Sequence, residues 1–231
     1  MREPDLVRRA ATEMLGTSFL LAAVVGSGIM GERLAGGNAA IALLANTIAT
    51  GAALVGLILA LGPISGAHFN PVVTLGLVMK RTMPWKDAAV YILAQILGGL
   101  LGVAAANRMF GCHVFFISSH VRSGSSQLFS EFVATFGLIT LIWACSKSRP
   151  SAVPFVVGAY ITAAYWFTAS TSFANPAVTL ARAFSDTYAG IRPGDVPGFV
   201  AAQLVGGTAA TIFCNWLLQP QSTSCAQRIE D

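Results

Sequence analysis

The chain has 231 residues, 55% of them hydrophobic and only 10% charged, with a formal net charge of +4 and a mean hydropathy of +0.67. A water-soluble domain carries roughly 25% charged residues, so this composition excludes an ordinary soluble fold and implies a polytopic membrane protein. The basic residues sit in loops and termini beside apolar runs, a pattern of membrane topology rather than of a nucleic-acid surface.

A helix needs about 20 apolar residues to cross a bilayer. Six stretches satisfy this: Ala10–Met30, Ala39–Leu61, Trp85–Asn107, Leu128–Ser146, Val153–Thr171 and Gly198–Leu218. The first is long enough to be a span itself and lacks the small-x-small exit of a cleavable leader. It carries an intramembrane carboxylate in Thr12-Glu13-Met14-Leu15-Gly16-Thr17, matched in the fourth span by Ser130-Glu131-Phe132-Val133-Ala134-Thr135. After the second span comes Gly66-Ala67-His68-Phe69-Asn70-Pro71-Val72-Val73-Thr74-Leu75. After the fifth comes Thr171-Ser172-Phe173-Ala174-Asn175-Pro176-Ala177-Val178-Thr179-Leu180. The third span holds Tyr91-Ile92-Leu93-Ala94-Gln95-Ile96-Leu97-Gly98-Gly99, and the sixth answers with Phe199-Val200-Ala201-Ala202-Gln203-Leu204-Val205-Gly206-Gly207.

Pro is tolerated in the first turn of a helix, where its missing N–H has no partner. Asn70–Met79 and Asn175–Phe184 therefore read as re-entrant half-helices, each about half the length the hydrocarbon core requires. An odd number of spans per half turns the second half upside down. The chain then forms a single channel-like domain, 1–231, of two inverted halves (about 7–110 and 125–219) whose half-helices meet near the midplane. Arg2, Arg8, Arg9, Lys80, Arg81, Lys86, Lys147, Arg149 and Arg228 fall on one side. Arg33, Arg108, Arg122, Arg182 and Arg192 fall on the other, so the bias puts both termini in the cytoplasm. The polar tail from Gln219 to Asp231 reads as disordered or loosely docked.

At a membrane midplane an Asn side chain that caps a helix keeps N–H donors for a passing solute. Asn70 and Asn175 are thus candidate pore residues, aided by the partial positive charge of the half-helix N-termini. Glu13 and Glu131 are read as acceptors for the backbone N–H groups of the re-entrant loops, with Gln95 and Gln203 sharing that work; the competing reading is a proton relay. Gly16, Gly98, Gly99, Gly102, Gly206 and Gly207 read as close-packing positions. His68 reads as a vestibule residue bonded to a carbonyl, while His113 and His120 in the loop between the halves predict nothing. Cys112, Cys145, Cys214 and Cys225 lack metal-site or disulfide spacing, and no metal or cofactor is expected. No Ser-His-Asp, HExxH or phosphate-binding Gly loop occurs in a plausible context, so no enzyme is expected.

Ser65-Gly66-Ala67-His68-Phe69-Asn70-Pro71, Asn175-Pro176-Ala177, Glu13, Glu131, Gln95 and Gln203 together resemble the aquaporin (major intrinsic protein) family over nearly the whole chain. The resemblance implies an all-α membrane fold of six transmembrane helices plus two re-entrant half-helices. It further implies a homotetramer with one pore per subunit in the lipid bilayer, in a bacterial inner membrane. The midplane motifs would be Asn70, Pro71, Val72 and Asn175, Pro176, Ala177; the selectivity filter would be Thr50, Ala163, Ser172 and Val178. The family usually has arginine after the second Asn-Pro-Ala, where this chain has Val178. Water-specific members usually carry Phe and His at the Thr50 and Ala163 positions; glycerol facilitators carry Trp and Gly there, with Phe at the Ser172 position. The expected filter is therefore wide, without ring or charge, unless Phe173, Phe69 or the loop Phe184–Ile191 refills it. An arginine-free filter resembles a bacterial branch associated with arsenic-resistance genes. The implied function is passive diffusion of water and small mostly neutral solutes: glycerol-like polyols, arsenous or antimonous acid, methylated arsenicals. A water-selective channel, a proton-coupled transporter using Glu13 and Glu131, and a membrane-junction protein are the alternatives.

Overall fold

The computed structural model describes residues 4–219; Arg2, Cys225, Arg228 and the tail beyond Gln219 lie outside the described residues. The described residues form eight α-helices, two short 3-10 turns and no strand: α1 (Leu6–Leu34), α2 (Ala39–Ser65), α3 (Pro71–Met79), α4 (Trp85–Met109), α5 (Ser125–Ser148), α6 (Val153–Phe167), α7 (Pro176–Arg182) and α8 (Val196–Leu217). Five of them, α1, α2, α4, α5 and α8, are long and apolar enough to cross a membrane. α1 starts before the apolar run because Asp5 caps it, accepting from the Arg8 N–H at 2.9 Å. α2 starts where Asn38 accepts from the Ala40 and Ile41 N–H groups and stops at Gly66, whose φ of 89° suits a residue without Cβ.

α6 is shorter than the expected Val153–Thr171 span. Its 15 residues rise about 22 Å, less than a full hydrocarbon core. Side chains of α5 end it early: Ser130 Oγ accepts from the Ala169 N–H, and Gln127 donates to the Ala169 carbonyl. The backbone beyond Phe167 is thereby drawn into the loop that feeds α7.

The packing repeats between the halves. α1 packs on α2 and α4, as α5 packs on α6 and α8. Each half-helix lies against the last helix of its own half and also against that of the other half. Close approach depends on missing side chains. A Cβ on Gly98 would collide with the Met14 backbone, and one on Gly206 would lie 2.6 Å from the Phe132 carbonyl oxygen. Gly207 leaves the notch that receives Val72, which accounts for Val in the first motif: its side chain is buried against α8, behind the loop. Phe19, Leu93, Val205, Phe213 and Trp216 stay exposed, as a lipid-facing surface requires.

Candidate functional site

The loops before α3 and α7 are strained in the same way. Ala67 and Phe69 have φ of 48° and 50°, and the equivalent Ser172 and Ala174 have 49° and 48°. Such conformations cost about 1–3 kcal/mol each and persist only where surrounding groups fix them. Glu13 does so for the first loop. Its Oε1 accepts from Ser65 Oγ (2.7 Å) and the His68 N–H (3.0 Å), its Oε2 from the Phe69 N–H (2.7 Å) and Gln95 Nε2 (2.8 Å). Glu131 repeats the arrangement with the Phe173 and Ala174 N–H groups, both at 2.9 Å, and Gln203 Nε2 at 2.6 Å. Both carboxylates are fully buried, and neither lines the cavity described below. Gln95 and Gln203 also donate to Thr74 and Thr179, whose hydroxyls donate back to the Asn70 and Asn175 carbonyls.

The half-helices meet head to head. Asn70 Oδ1 accepts from the Val72 N–H (2.9 Å), and Asn175 Oδ1 from the Ala177 (3.0 Å) and Val178 (3.3 Å) N–H groups. Contrary to expectation, the amide groups are not wholly free. Asn70 Nδ2 donates to the Ala174 carbonyl at 2.8 Å, and Asn175 Nδ2 to the Phe69 carbonyl at 2.7 Å. Each amide has a second N–H, and both residues face the cavity. Pro71 and Pro176 open the helices behind them.

One cavity of about 310 Å³ runs past this junction. Thr50, Leu54 and Ile58 of α2 line it, as do Val153, Val157, Ile161 and Tyr165 of α6, each set four residues apart along one helical face. Ser172 and Val178 also line it. Ala163 does not: two residues from Ile161 and from Tyr165, it lies about 200° around α6 and is exposed on the outer surface. Tyr165 faces Thr50 instead, hydroxyl to hydroxyl at 3.3 Å. The ring-free opening expected at this level is therefore not found. His68 lines the opposite half and bonds a hydroxyl rather than a carbonyl, with Nδ1 3.0 Å from Thr74 Oγ1. The Thr74 proton goes to Asn70 and its oxygen receives Gln95, so His68 Nδ1 is the donor and Nε2 is left as an acceptor.

Nor is the α7 end uncharged. Arg182, counted from the sequence only among the basic residues of one membrane side, is 1% exposed and lines the cavity one helical turn beyond Val178. Its Nε donates to the Ala189 carbonyl, and its Cζ lies 3.4 Å from the centroid of the Phe173 ring. Arg122 approaches the same ring at 5.0 Å. It braces the loops by donating to the carbonyls of Gly190, Ser170 and Tyr188 and to the Thr171 hydroxyl. Phe173 also meets Phe199 edge-on, and both Phe173 and Phe69 line the cavity. In the neighbouring loop, burial first and then Arg122 and Arg182 push the His120 imidazole below its ordinary range, against the pull of Asp186.

The sequence profile of the major intrinsic protein family matches residues 1–172. The chain belongs to the major intrinsic protein family. It is an integral membrane channel for water and small solutes. The chain is 54% identical over 220 residues to "Aquaglyceroporin AqpS" of Rhizobium meliloti (strain 1021), covering 95% of this chain and 94% of that relative. It is 33% identical over 138 residues to "Aquaporin NIP1-1" of Oryza sativa subsp. japonica, covering 59% of this chain but only 48% of the plant protein. Its fold resembles the aquaglyceroporin structure from Plasmodium falciparum with a TM-score of 0.73 at 21% identity, over 94% of this chain and 98% of the other. Within this major intrinsic protein, the residues that the sequence reading missed are Tyr165, Arg182, Arg122, Thr74 and Thr179. The two threonines carried a signal, since each follows its Asn by four residues in both phrases. Arg182 carried one too, because Asn175, Val178 and Arg182 share one face of α7 by helical spacing.

Proposed function

We propose that the chain is a passive channel for water and small, mostly neutral solutes, glycerol-sized polyols first and arsenous or antimonous acid after them. The observation that carries this reading is the α7 face of the cavity, where Val178 offers a short apolar side chain beside the hydroxyls of Thr50, Ser172 and Tyr165. Such a wall accepts a solute with hydroxyls on one side and carbon on the other. The relative named an aquaglyceroporin, matched over almost its whole length, supports the same assignment. The remaining N–H groups of Asn70 and Asn175 serve as the midplane contacts, and Glu13, Glu131, Gln95 and Gln203 hold the loops that present them. In this reading residues 1–231 form one channel domain of two inverted halves, a homotetramer in a bacterial inner membrane with both termini in the cytoplasm.

A second reading, a water-selective channel, is favoured by Tyr165, because its ring occupies space where the sequence suggested only alanine. Stopped-flow permeabilities of proteoliposomes to water, glycerol and arsenous acid separate the two. Fast, non-saturating glycerol flux that Val178→Arg reduces about tenfold, with water flux largely kept, supports the wider pore; a tenfold change corresponds to about 1.4 kcal/mol at the barrier. Water flux alone in the parent protein means that Tyr165 closes the pore to polyols.

A further inference from the structure

A buried guanidinium that makes no ion pair is costly unless something polar faces it. Arg182 is such a group. Among the described residues no carboxylate lies within ion-pair distance of it, and only its Nε has a hydrogen-bond acceptor. The two Nη groups are left with their donors unmatched on a side chain that lines the cavity. The charged groups that act on it are Arg122, which repels it, and Glu131, whose oxygens are already taken by two backbone N–H groups and Gln203. Phe173 supplies a flat face at 3.4 Å that fixes the plane of the guanidinium, and the Ala189 carbonyl fixes its near end. The neighbouring Arg122 is a different case, because its guanidinium nitrogens are engaged with loop carbonyls and the Thr171 hydroxyl, and it does not line the cavity.

We propose that Arg182 is the cation barrier of this channel: a fixed positive charge, one helical turn beyond Val178, that rejects metal cations and hydronium from a pore whose filter position is apolar. The inference rests on the channel reading above and adds to it a residue that determines specificity. Val178 and Arg182 divide two tasks. The short side chain at 178 sets the width, and the guanidinium at 182 sets the sign of the charge that may pass. Its free N–H donors also replace part of the hydration of an oxygen-bearing neutral solute, so the barrier to cations need not become a barrier to polyols. The Phe173 ring and the 184–191 loop are positioning groups, since they touch the guanidinium and hold it in place.

The test uses the full chain in proteoliposomes, with glycerol flux and cation leak measured on the same vesicles. Leak is read as potassium current and as dye-reported proton entry under a potassium diffusion potential. Arg182→Met keeps length and removes charge, and should raise the potassium and proton leak about tenfold or more, with glycerol flux lowered by the loss of its N–H donors but still measurable. Arg182→Lys keeps the charge and should stay tight. Val178→Glu leaves Arg182 in place and sets a carboxylate one turn before it, the favourable order for an i,i+4 pair; by neutralising the guanidinium it should also open a cation leak. Tight Arg182→Met vesicles that pass glycerol overturn the proposal and return cation exclusion to the half-helix ends. Should Arg182→Met not assemble, Val178→Glu decides alone, with leak supporting and tightness overturning. A parent protein that passes no glycerol overturns the channel reading instead, whatever the leak of the variants.

Discussion

Glu131 joins the strained backbone of the second loop to the geometry of the pore. Its two oxygens receive the N–H groups of Phe173 and Ala174, and Ala174 has φ of 48°. Glu131→Gln turns one of those oxygens into an N–H₂ group that faces a backbone donor. Leaving that buried N–H without an acceptor costs about 1–3 kcal/mol, whereas the exposed Glu32→Gln should change stability by less than about 0.5 kcal/mol. Thermal unfolding of the detergent-solubilised variants measures both. A relay role would predict the opposite pattern, with stability kept and only proton movement lost. Residue identity made the glutamates legible in the sequence, because a carboxylate repeated at equivalent places among apolar residues has few uses other than satisfying backbone. The filter was less legible for a geometric reason. Ile161, Ala163 and Tyr165 lie in one apolar run, and in a helix each residue advances 100°, so a two-residue error in register exchanges a pore-facing side chain for one on the outer surface. Ala163→Leu should therefore leave glycerol permeability unchanged, while Tyr165→Leu, which deletes the hydroxyl beside Thr50, should change the glycerol-to-water ratio. A large effect of Ala163→Leu on that ratio would restore the original assignment.

At the level of elements, the helices are held by notches rather than by apolar stripes. In lipid the hydrophobic effect does not distinguish a neighbouring helix from an acyl chain, so close backbone approach and hydrogen bonds carry the association. Gly206 shows what this demands. Its Cα faces the Phe132 backbone, and a Cβ 2.6 Å from that carbonyl cannot be relieved by a rotamer change. Gly206→Ala should destabilise the α5–α8 pair, read as a fall in the unfolding temperature. Gly56→Ala has open space around its Cβ and should raise helix stability by up to about 1 kcal/mol. The spans themselves were readable from hydropathy to within a few residues because lipid imposes a length on them. α6 departed from that rule because its end is set by Ser130 and Gln127 on another helix, a tertiary cause with no local signal. The half-helices were legible for the reverse reason: Asn-Pro is a complete local instruction, cap and first turn together.

For the whole molecule, the distribution of charge decides between a channel and a coupled transporter. An inverted arrangement with broken helices is compatible with both, so the topology alone does not choose. Coupling needs a group in the path that takes up an ion with the solute and releases it with the solute. Among the described residues lining the cavity there is no Asp or Glu; the ionisable side chains are His68, Tyr165 and Arg182. The Arg182 guanidinium is a fixed cation, and the Tyr165 hydroxyl is paired with that of Thr50. His68 is the one remaining candidate. Its Nδ1 is committed to Thr74, so it would have to load through Nε2 and then carry the proton past the asparagine junction without a second acceptor on the lining. The expected behaviour is therefore downhill flux alone. Glycerol entry into proteoliposomes should rise linearly with its gradient and keep the same rate whether the proton gradient points inward, outward or is collapsed by an ionophore. His68→Phe should leave that indifference intact. Accumulation of glycerol against its gradient when protons flow inward, lost in His68→Phe, would mean that the cavity binds in alternation and that the head-to-head half-helices part during transport.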